Sequence, residues 1–77
     1  MKINILLFGQ LTDITGAGSI TMDEAMDTDS MVAELHKKFP ALVYSKYVVA
    51  VDQKIIAENT PLTENCTVAL LPPFSGG

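Results

Sequence analysis

The C-terminus carries the residues with the clearest chemical potential in this 77-residue sequence, because it ends in Gly76-Gly77. Glycine has no Cβ, so two terminal glycines can thread a narrow channel and leave the terminal carbonyl unhindered. The α-carboxyl group, with an ordinary pKa of about 3.3–3.7, is an anion at neutral pH and a poor electrophile. ATP can activate it as an acyl-adenylate, and a sulfur nucleophile can then displace AMP and leave a thiocarboxylate. We therefore predict that Gly77 is the reactive residue, and that Gly76 and Ser75 thread the channel.

The residues before the two glycines are expected to form an extended tail over 72–77. Pro72-Pro73 stiffens the exit from the preceding strand toward an extended path. Six extended residues reach about 20 Å, so the tail can enter the active site of another protein while the domain stays outside. Phe74 is then predicted to act as an aromatic anchor where the two proteins meet.

Other side chains with catalytic potential have a simpler interpretation as parts of the fold. A nucleophilic Cys66 would need positively charged surroundings and a base. Cys66 instead opens an apolar strand, in phase with Val68 and Leu70, which favours a small core residue. His36 lies at the border of a helical apolar stripe, which favours a half-exposed structural histidine over a ligand.

Composition excludes several classes of function. A net charge of −4 and the absence of arginine argue against nucleic-acid binding, which needs a cationic surface. One cysteine and one histidine exclude an internal disulfide framework and a self-contained zinc finger. A cluster of carboxylates lacks calcium-loop spacing and is assigned to solubility and helix electrostatics: Asp23, Glu24, Asp27 and Asp29. No apolar run suits a signal peptide or a membrane span of roughly 20 residues, so we expect a cytoplasmic protein without bound metal.

The hydrophobic pattern predicts one domain over 1–77 that positions this tail. Strands are typical of the alternating or β-branched runs, which cover 2–8, 19–22, 47–51, 55–56 and 66–71. A helix is predicted over 29–39, where an N-cap residue from 28–30 precedes one apolar stripe and Pro40 follows. The segment 9–18 is predicted to be a turn-rich connection.

This element order resembles the β-grasp, or ubiquitin-like, architecture of the α+β class, in which one helix packs across one face of a mixed sheet. In that fold the first and last strands are parallel neighbours at the centre, and here they are the most apolar strands. Ile3, Ile5 and Leu7 should then face the helix, because Lys2 and Asn4 belong outside.

The opposite face of the central strands is predicted to carry an apolar patch formed by Leu6, Phe8, Ala69 and Leu71. No second helix is predicted to cover it. Either the 9–18 connection or the tail folds over part of the patch, or the patch docks on partner proteins together with Pro72, Pro73 and Phe74.

The ending Val68-Ala69-Leu70-Leu71-Pro72-Pro73-Phe74-Ser75-Gly76-Gly77 closely resembles the C-terminus of the small subunit of molybdopterin synthase. Phe8-Gly9-Gln10-Leu11 looks like the exit of that subunit's first strand. Val49-Ala50-Val51-Asp52 is similar to its third-strand motif, although asparagine is common where this chain has Asp52, a difference that affects a hairpin turn. The resemblance covers the whole chain in length and element order.

This resemblance implies a non-catalytic sulfur carrier with no permanently bound cofactor. An adenylating enzyme similar to ubiquitin-activating enzymes would use ATP to form the adenylate on Gly77, and a sulfur-donating enzyme would supply the sulfur. The carrier would then dock on a large catalytic subunit, in a two-plus-two assembly, and donate sulfur to cyclic pyranopterin monophosphate. Two such donations would build the dithiolene of molybdopterin.

Two other classes of function remain open from the sequence. The first is a sulfur carrier of another pathway, such as that of the thiamine thiazole, or a ubiquitin-like protein modifier. These proteins also end in Gly-Gly, but usually without Pro-Pro so close before it. The second is a passive β-grasp interaction module, which would lose nothing on removal of Gly77.

Overall fold

The architecture is that of a five-stranded mixed sheet with helices packed against one face. The computed structural model describes residues 2–23 and 25–73. Its elements in chain order are β1 (Ile3–Leu7), α1 (Gln10–Thr15), β2 (Ser19–Met22), α2 (Thr28–Lys38), a 3₁₀ helix (Pro40–Tyr44), β3 (Val48–Val51), β4 (Lys54–Ile56) and β5 (Thr67–Leu71).

The sheet has the strand order β2-β1-β5-β3-β4, so β5 lies between β1 and β3. β1 and β5 are parallel, with Leu7 opposite Leu70, whereas the other neighbouring pairs are antiparallel. The predicted parallel pairing of the first and last strands is therefore confirmed. Both strands have hydrogen-bonded neighbours on each side, which agrees with their apolar composition.

One face of the sheet forms the core with α2. Alternation in the two central strands places Ile3, Ile5, Val68 and Leu70 in that core with no exposed surface. Met31 and Leu35 of α2 are equally buried and pack against them. The prediction of which side of β1 and β5 faces the helix is confirmed.

The helix α2 begins one residue earlier than predicted, at Thr28, and its N-cap is Asp27. The Asp27 carboxylate accepts a hydrogen bond from the Ser30 amide at 2.9 Å. The Asn59 side-chain oxygen accepts a second one from the Asp29 amide, also at 2.9 Å. Two amides of the first turn are thus satisfied, one of them by a residue 30 positions away in the chain.

The 9–18 connection is not a simple turn, because it contains the helix α1. Leu11 is fully buried and joins the core from this helix. Glycines bound the helix, since Gly9 and Gly16 have φ angles of 61° and 75° that favour glycine. A six-residue helix presents too few turns for its apolar periodicity to be recognised.

The helix α2 ends at Lys38, one residue before the predicted end, and the 3₁₀ helix begins at Pro40. Leu42 anchors this helix in the core with no exposed surface, whereas Val43 and Tyr44 are 56% and 90% exposed. Among the described residues, no helix is both long enough and apolar enough to cross a membrane.

Candidate functional site

The tail leaves the sheet from its central strand β5. Leu70, the last fully buried residue, is followed by half-buried Leu71 and Pro72 and by exposed Pro73. The predicted tail residues Phe74, Ser75, Gly76 and Gly77 lie outside the described residues. The structure therefore defines the base of the tail, at the end of a strand that hydrogen bonds with its neighbours on both sides.

Gly9 and Pro72 bring the exits of β1 and β5 together. The Phe8 amide donates a hydrogen bond to the Leu70 carbonyl at 3.2 Å, which extends the pairing of the two strands by one step. Beyond it the Pro72 ring packs over Gly9, where a Cβ would lie only 2.6 Å from Pro72 Cγ. The absence of a side chain on Gly9 thus leaves room for the first proline of the tail.

The face of the sheet opposite the core forms a shallow groove of about 530 Å³, which we call the open-face groove. Its apolar lining consists of Leu6, Phe8, Ala50, Ile55, Ala69 and Leu71. Asp52, Gln53 and Thr67 complete the lining, so no residue of 9–18 covers the groove. Leu11 instead directs α1 to the core side of the sheet.

The open-face groove therefore brings together three of the predicted docking residues, namely Leu6, Phe8 and Leu71. Phe8 is 44% exposed and Ile55 is 67% exposed, which is unusual for large apolar side chains of a small domain. Sequence reasoning missed Ile55 and Ala50. The register signals them, because Ala50 lies opposite both Ala69 and Ile55 in neighbouring strands.

Pro72 and Pro73, which the sequence predicts to dock together with Leu6, Phe8 and Leu71, line a different surface. They form one wall of a second concavity of about 740 Å³, which lies between α1 and the 3₁₀ helix. We call it the tail-side concavity. Leu71 and Pro72 are consecutive residues, so the two surfaces meet at the base of the tail.

Asp52 acts in a hairpin turn, as predicted from its position after β3. Asp52 and Gln53 have φ angles of 47° and 72°, the paired left-handed conformation of a type I′ turn between β3 and β4. The Asp52 carboxylate accepts a hydrogen bond from the Thr67 amide at 3.1 Å and thereby ties the turn to the start of β5.

Cys66 and His36 have the structural roles that the sequence favours. Cys66 is 4% exposed and belongs to the core cluster. The His36 Nε2 lies 2.8 Å from the Tyr47 hydroxyl, and the two rings meet edge to face with centroids 6.3 Å apart. Burial raises the pKa of Tyr47, so this hydroxyl stays protonated at neutral pH.

Of the acidic residues before and at the start of α2, Asp27 stabilises the helix N-terminus as its N-cap. The Ser30 hydroxyl, the Ser30 amide and the Asn59 side chain all donate to the Asp27 carboxylate, and these hydrogen bonds lower the pKa of Asp27. Across residues 2–23 and 25–73, no three His, Cys, Asp or Glu side chains are grouped so as to hold a metal ion.

Known proteins match this chain over nearly its full length. The model of the ThiS family matches residues 5–77. The molybdopterin synthase sulfur carrier subunit of Arabidopsis thaliana is 31% identical over 81 residues, which cover 100% of this chain and 84% of that protein. The subunit of the same name from Escherichia coli K12 is 29% identical over 80 residues and covers 97% of this chain and 99% of that protein.

Solved structures show the same fold. The complex of subunits 1 and 2 of the molybdopterin-converting factor from Helicobacter pylori contains a chain that is 25% identical, with a TM-score of 0.76 and complete coverage of both chains. The small archaeal modifier protein 1 of Methanosarcina acetivorans has a TM-score of 0.85 at 21% identity, covering 99% of this chain and 96% of that one. At that identity the likeness concerns the fold, and the predicted β-grasp architecture is confirmed.

Proposed function

Because this chain belongs to the ThiS family, we propose that it is the sulfur carrier of a molybdopterin synthase and that Gly77 holds the sulfur. The observation that carries the proposal is the 31% identity, across the entire chain, to a protein named as that carrier subunit. The family match extends through residue 77 and so includes the Gly-Gly ending.

The chemistry proposed for Gly77 follows from the poor reactivity of a carboxylate. A carboxylate oxygen of Gly77 attacks the α-phosphate of ATP within an activating enzyme, and pyrophosphate leaves. Hydrosulfide from the sulfur donor then adds to the carbonyl carbon of the adenylate, AMP leaves with the electron pair of the broken C–O bond, and the resulting thioacid loses its proton to solvent. The product is a thiocarboxylate, whose sulfur is transferred to the pterin precursor in the synthase. Water restores the carboxylate of Gly77, so the carrier can be used again.

The fold supports a role as handle rather than as catalyst. The tail base continues a central strand whose neighbours are hydrogen bonded on both sides, so the domain holds it firmly. When extended, the six residues 72–77 reach about 20 Å, which lets the reactive carbonyl enter a partner's active site. Nucleotide and sulfur donor are then supplied by the partners.

The proposed partners are a large catalytic subunit, an adenylating enzyme and a sulfur-donating enzyme. The Helicobacter pylori structure is titled a complex of two subunits of the converting factor, which supports a large-subunit partner. We propose a two-plus-two assembly with that subunit. The large subunit and the adenylating enzyme must receive the same tail, so both are proposed to use the open-face groove, with Phe8 as a contact residue.

Intact-mass measurement tests the carrier role directly. The chain is incubated with ATP, an adenylating enzyme and a sulfur donor, and the expected product is heavier by the exchange of one oxygen for one sulfur. Fragmentation should place the change at Gly77, and a chain lacking Gly77 is the matched control. An unchanged mass, or an equal gain in the control, would contradict the proposal.

Competition binding tests the shared surface. The two partners should bind in a mutually exclusive way, and Phe8→Ala should weaken both complexes while the melting temperature stays close to that of the wild type. Phe74→Ala is expected to do the same. A stable ternary complex of the carrier with both partners would refute the shared docking surface.

A protein modifier of the same fold remains distinguishable by its product. It would form an isopeptide bond between Gly77 and a lysine of another protein, whereas a sulfur carrier is released unchanged after transfer. The two relatives named as sulfur carriers favour the second outcome.

A further inference from the structure

The tail-side concavity lies directly beside the base of the tail. Pro72 and Pro73 form one of its walls, and the next residue in the chain, Phe74, is aromatic. Its volume of about 740 Å³ lies within the range of pockets that enclose a small-molecule ligand, about 300–1,000 Å³. The four residues from Phe74 to Gly77 form a segment of that size.

We propose that residues 74–77 occupy the tail-side concavity in the free protein, with the Phe74 ring on its apolar wall and the Gly77 carboxylate beside Lys46. The inference rests on the proposed function only in taking Gly77 as the C-terminal residue. The concavity then holds the reactive end of the chain against its own domain. A partner must withdraw the segment before the terminal carbonyl can enter an active site.

The register of the sheet brings Lys46 to the base of the tail. β3 and β5 are antiparallel, with Val48 opposite Leu71. Two steps further along the same register, residue 46 comes opposite residue 73, and both residues line the tail-side concavity. Lys46 and Pro73 are therefore close in space.

Two other lysines lie at the opposite end of the sheet. Lys54 is opposite Val51, which is itself opposite Val68 near the start of β5, so Lys54 lies far from the tail. Lys2 precedes β1, which is parallel to β5, and so lies at that same far end. Neither of them lines the tail-side concavity, whereas Lys46 does.

The two lysines of α2 are also accounted for elsewhere. Lys37 pairs with Glu34, with the nitrogen and oxygen 3.7 Å apart, and Lys38 lines a separate concavity between α2 and the end of β2. Among the described residues this is the one ion pair, so the Lys46 ammonium has no carboxylate partner there. The carboxylate of Gly77 can supply that partner.

The length of the segment suits this arrangement. Four extended residues span about 13 Å, which exceeds the separation of about 5 Å between Cα atoms opposite each other in antiparallel strands. The segment is therefore long enough to turn back over the concavity, and glycine at positions 76 and 77 permits backbone conformations that other residues rarely adopt. The covalent link to Pro73 gives the segment an effective concentration in the millimolar range, so contacts too weak to join separate molecules suffice.

The apolar part of the lining matches Phe74. Ile14 and Tyr44 face the concavity together with the two prolines. Tyr44 is 90% exposed in the absence of an occupant, which is a large aromatic surface for a small domain to leave in water. An aromatic ring packed against it would gain both buried area and a favourable ring contact.

The polar part of the lining matches a carboxylate. Lys46 provides a cation, and the hydroxyl of the adjacent Ser45 provides a hydrogen-bond donor. Asp13 is the one acidic residue of the lining, and it belongs to the wall formed by α1. An exposed ion pair adds little by itself, so the packing of Phe74 and the pairing of Gly77 are expected to act together.

Zero-length crosslinking of the isolated full-length chain with a water-soluble carbodiimide tests the inference. The reagent activates the Gly77 carboxylate, and the neutral Lys46 amine attacks the carbonyl carbon. A C–N bond forms, the reagent leaves with the carboxylate oxygen as its urea, and the amine loses a proton to solvent. The expected product is a monomer lighter by one water, and peptide mapping should place the isopeptide bond between Gly77 and Lys46.

Four variants sharpen the test. Lys46→Arg keeps the positive charge but removes the acceptor amine, so it should abolish this product. Lys54→Arg is the matched control and should leave the product unchanged, because Lys54 lies at the far end of the sheet. Tyr44→Ala and Phe74→Ala should each lower the initial rate of its formation by about twofold to tenfold, the loss expected for one aromatic contact. Melting temperatures verify that each variant is folded.

Backbone order parameters from NMR provide a second readout. In the wild type the amides of Gly76 and Gly77 should have values above about 0.6, below which a chain counts as flexible. Phe74→Ala should bring both values below that limit, because the segment then loses its contact with the concavity.

Several outcomes would overturn the inference. These are coupling of Gly77 to Lys2 or Lys54 as readily as to Lys46, an unchanged rate in Tyr44→Ala, or wild-type order parameters below about 0.6 at the two glycines. Crosslinked dimers in place of the monomeric product would make a second copy the occupant and would refute it as well. None of these results affects the carrier role, which the mass gain at Gly77 tests separately. A chain that holds its tail but gains no sulfur would retain this inference and lose the proposed function.

Discussion

Leu70 and Leu71 are consecutive residues of β5, yet their truncation should have different consequences. Leu70 has no exposed surface and points into the core, whereas Leu71 is half-buried on the open-face groove. Leu70→Ala removes buried methyl groups and leaves a cavity, which costs about 2–5 kcal/mol in free energy of unfolding. Leu71→Ala loses less buried area and should cost about 1 kcal/mol, while it weakens binding to the partners.

The size of the domain makes the difference large enough to measure. At roughly 0.05–0.15 kcal/mol per residue, a chain of 77 residues has a total stability of about 4–12 kcal/mol. Leu70→Ala therefore removes a large fraction of it, and each kcal/mol lowers the melting temperature by about 4–8 °C in a domain of this size. We expect a fall of about 10 °C or more for Leu70→Ala and of less than about 8 °C for Leu71→Ala.

Urea denaturation and thermal melting of the two variants provide the assay, with binding to the large subunit measured in parallel. Leu70→Ile is the control that conserves volume, and it should cost less than about 1.5 kcal/mol. Equal destabilisation by the two alanine substitutions, or stronger loss of binding in Leu70→Ile than in Leu71→Ala, would refute the assignment of the two faces.

Three further predictions concern the tail, the helix cap and the turn. Deletion of Gly77 should abolish sulfur transfer and leave the melting temperature nearly unchanged. Gly76→Val should block activation or transfer, because a β-branched residue stiffens and widens the segment that threads the channel. Wild-type turnover of Gly76→Val would contradict this second expectation. The hydrogen bonds of the folded state lower the pKa of Asp27, so the stabilising effect of its carboxylate is complete above the ordinary pKa of 3.8 and is lost as the pH falls through the folded-state pKa. Asp27→Asn should therefore reduce the pH dependence of the free energy of unfolding below about pH 4. An acid-unfolding profile identical to that of the wild type would contradict this expectation. Gln53→Gly should stabilise the domain by about 1 kcal/mol, because Gln53 has a φ of 72° that glycine adopts without strain; a lower urea midpoint would refute this.

The sequence by itself determined the two faces of the central strands and the point at which β5 ends. Alternation along β1 separates Ile5 and Leu7 from Leu6 and Phe8, and a period of two needs no tertiary information. The same holds for Pro72, which cannot donate to a ladder and so ends β5. The reactivity proposed for Gly77 is likewise an argument from the local chain alone.

Only the tertiary structure decided which distant residues meet. Asn59 contributes to the N-terminal cap of α2 from 30 residues away, and this pairing has no local pattern in the sequence. Leu11 turns the 9–18 connection into a helix because the core, rather than any intrinsic propensity of six residues, stabilises it. The contact of Pro72 with Gly9 and the concavity beside Tyr44 arise in the same way, because they form where segments far apart in the chain pack together.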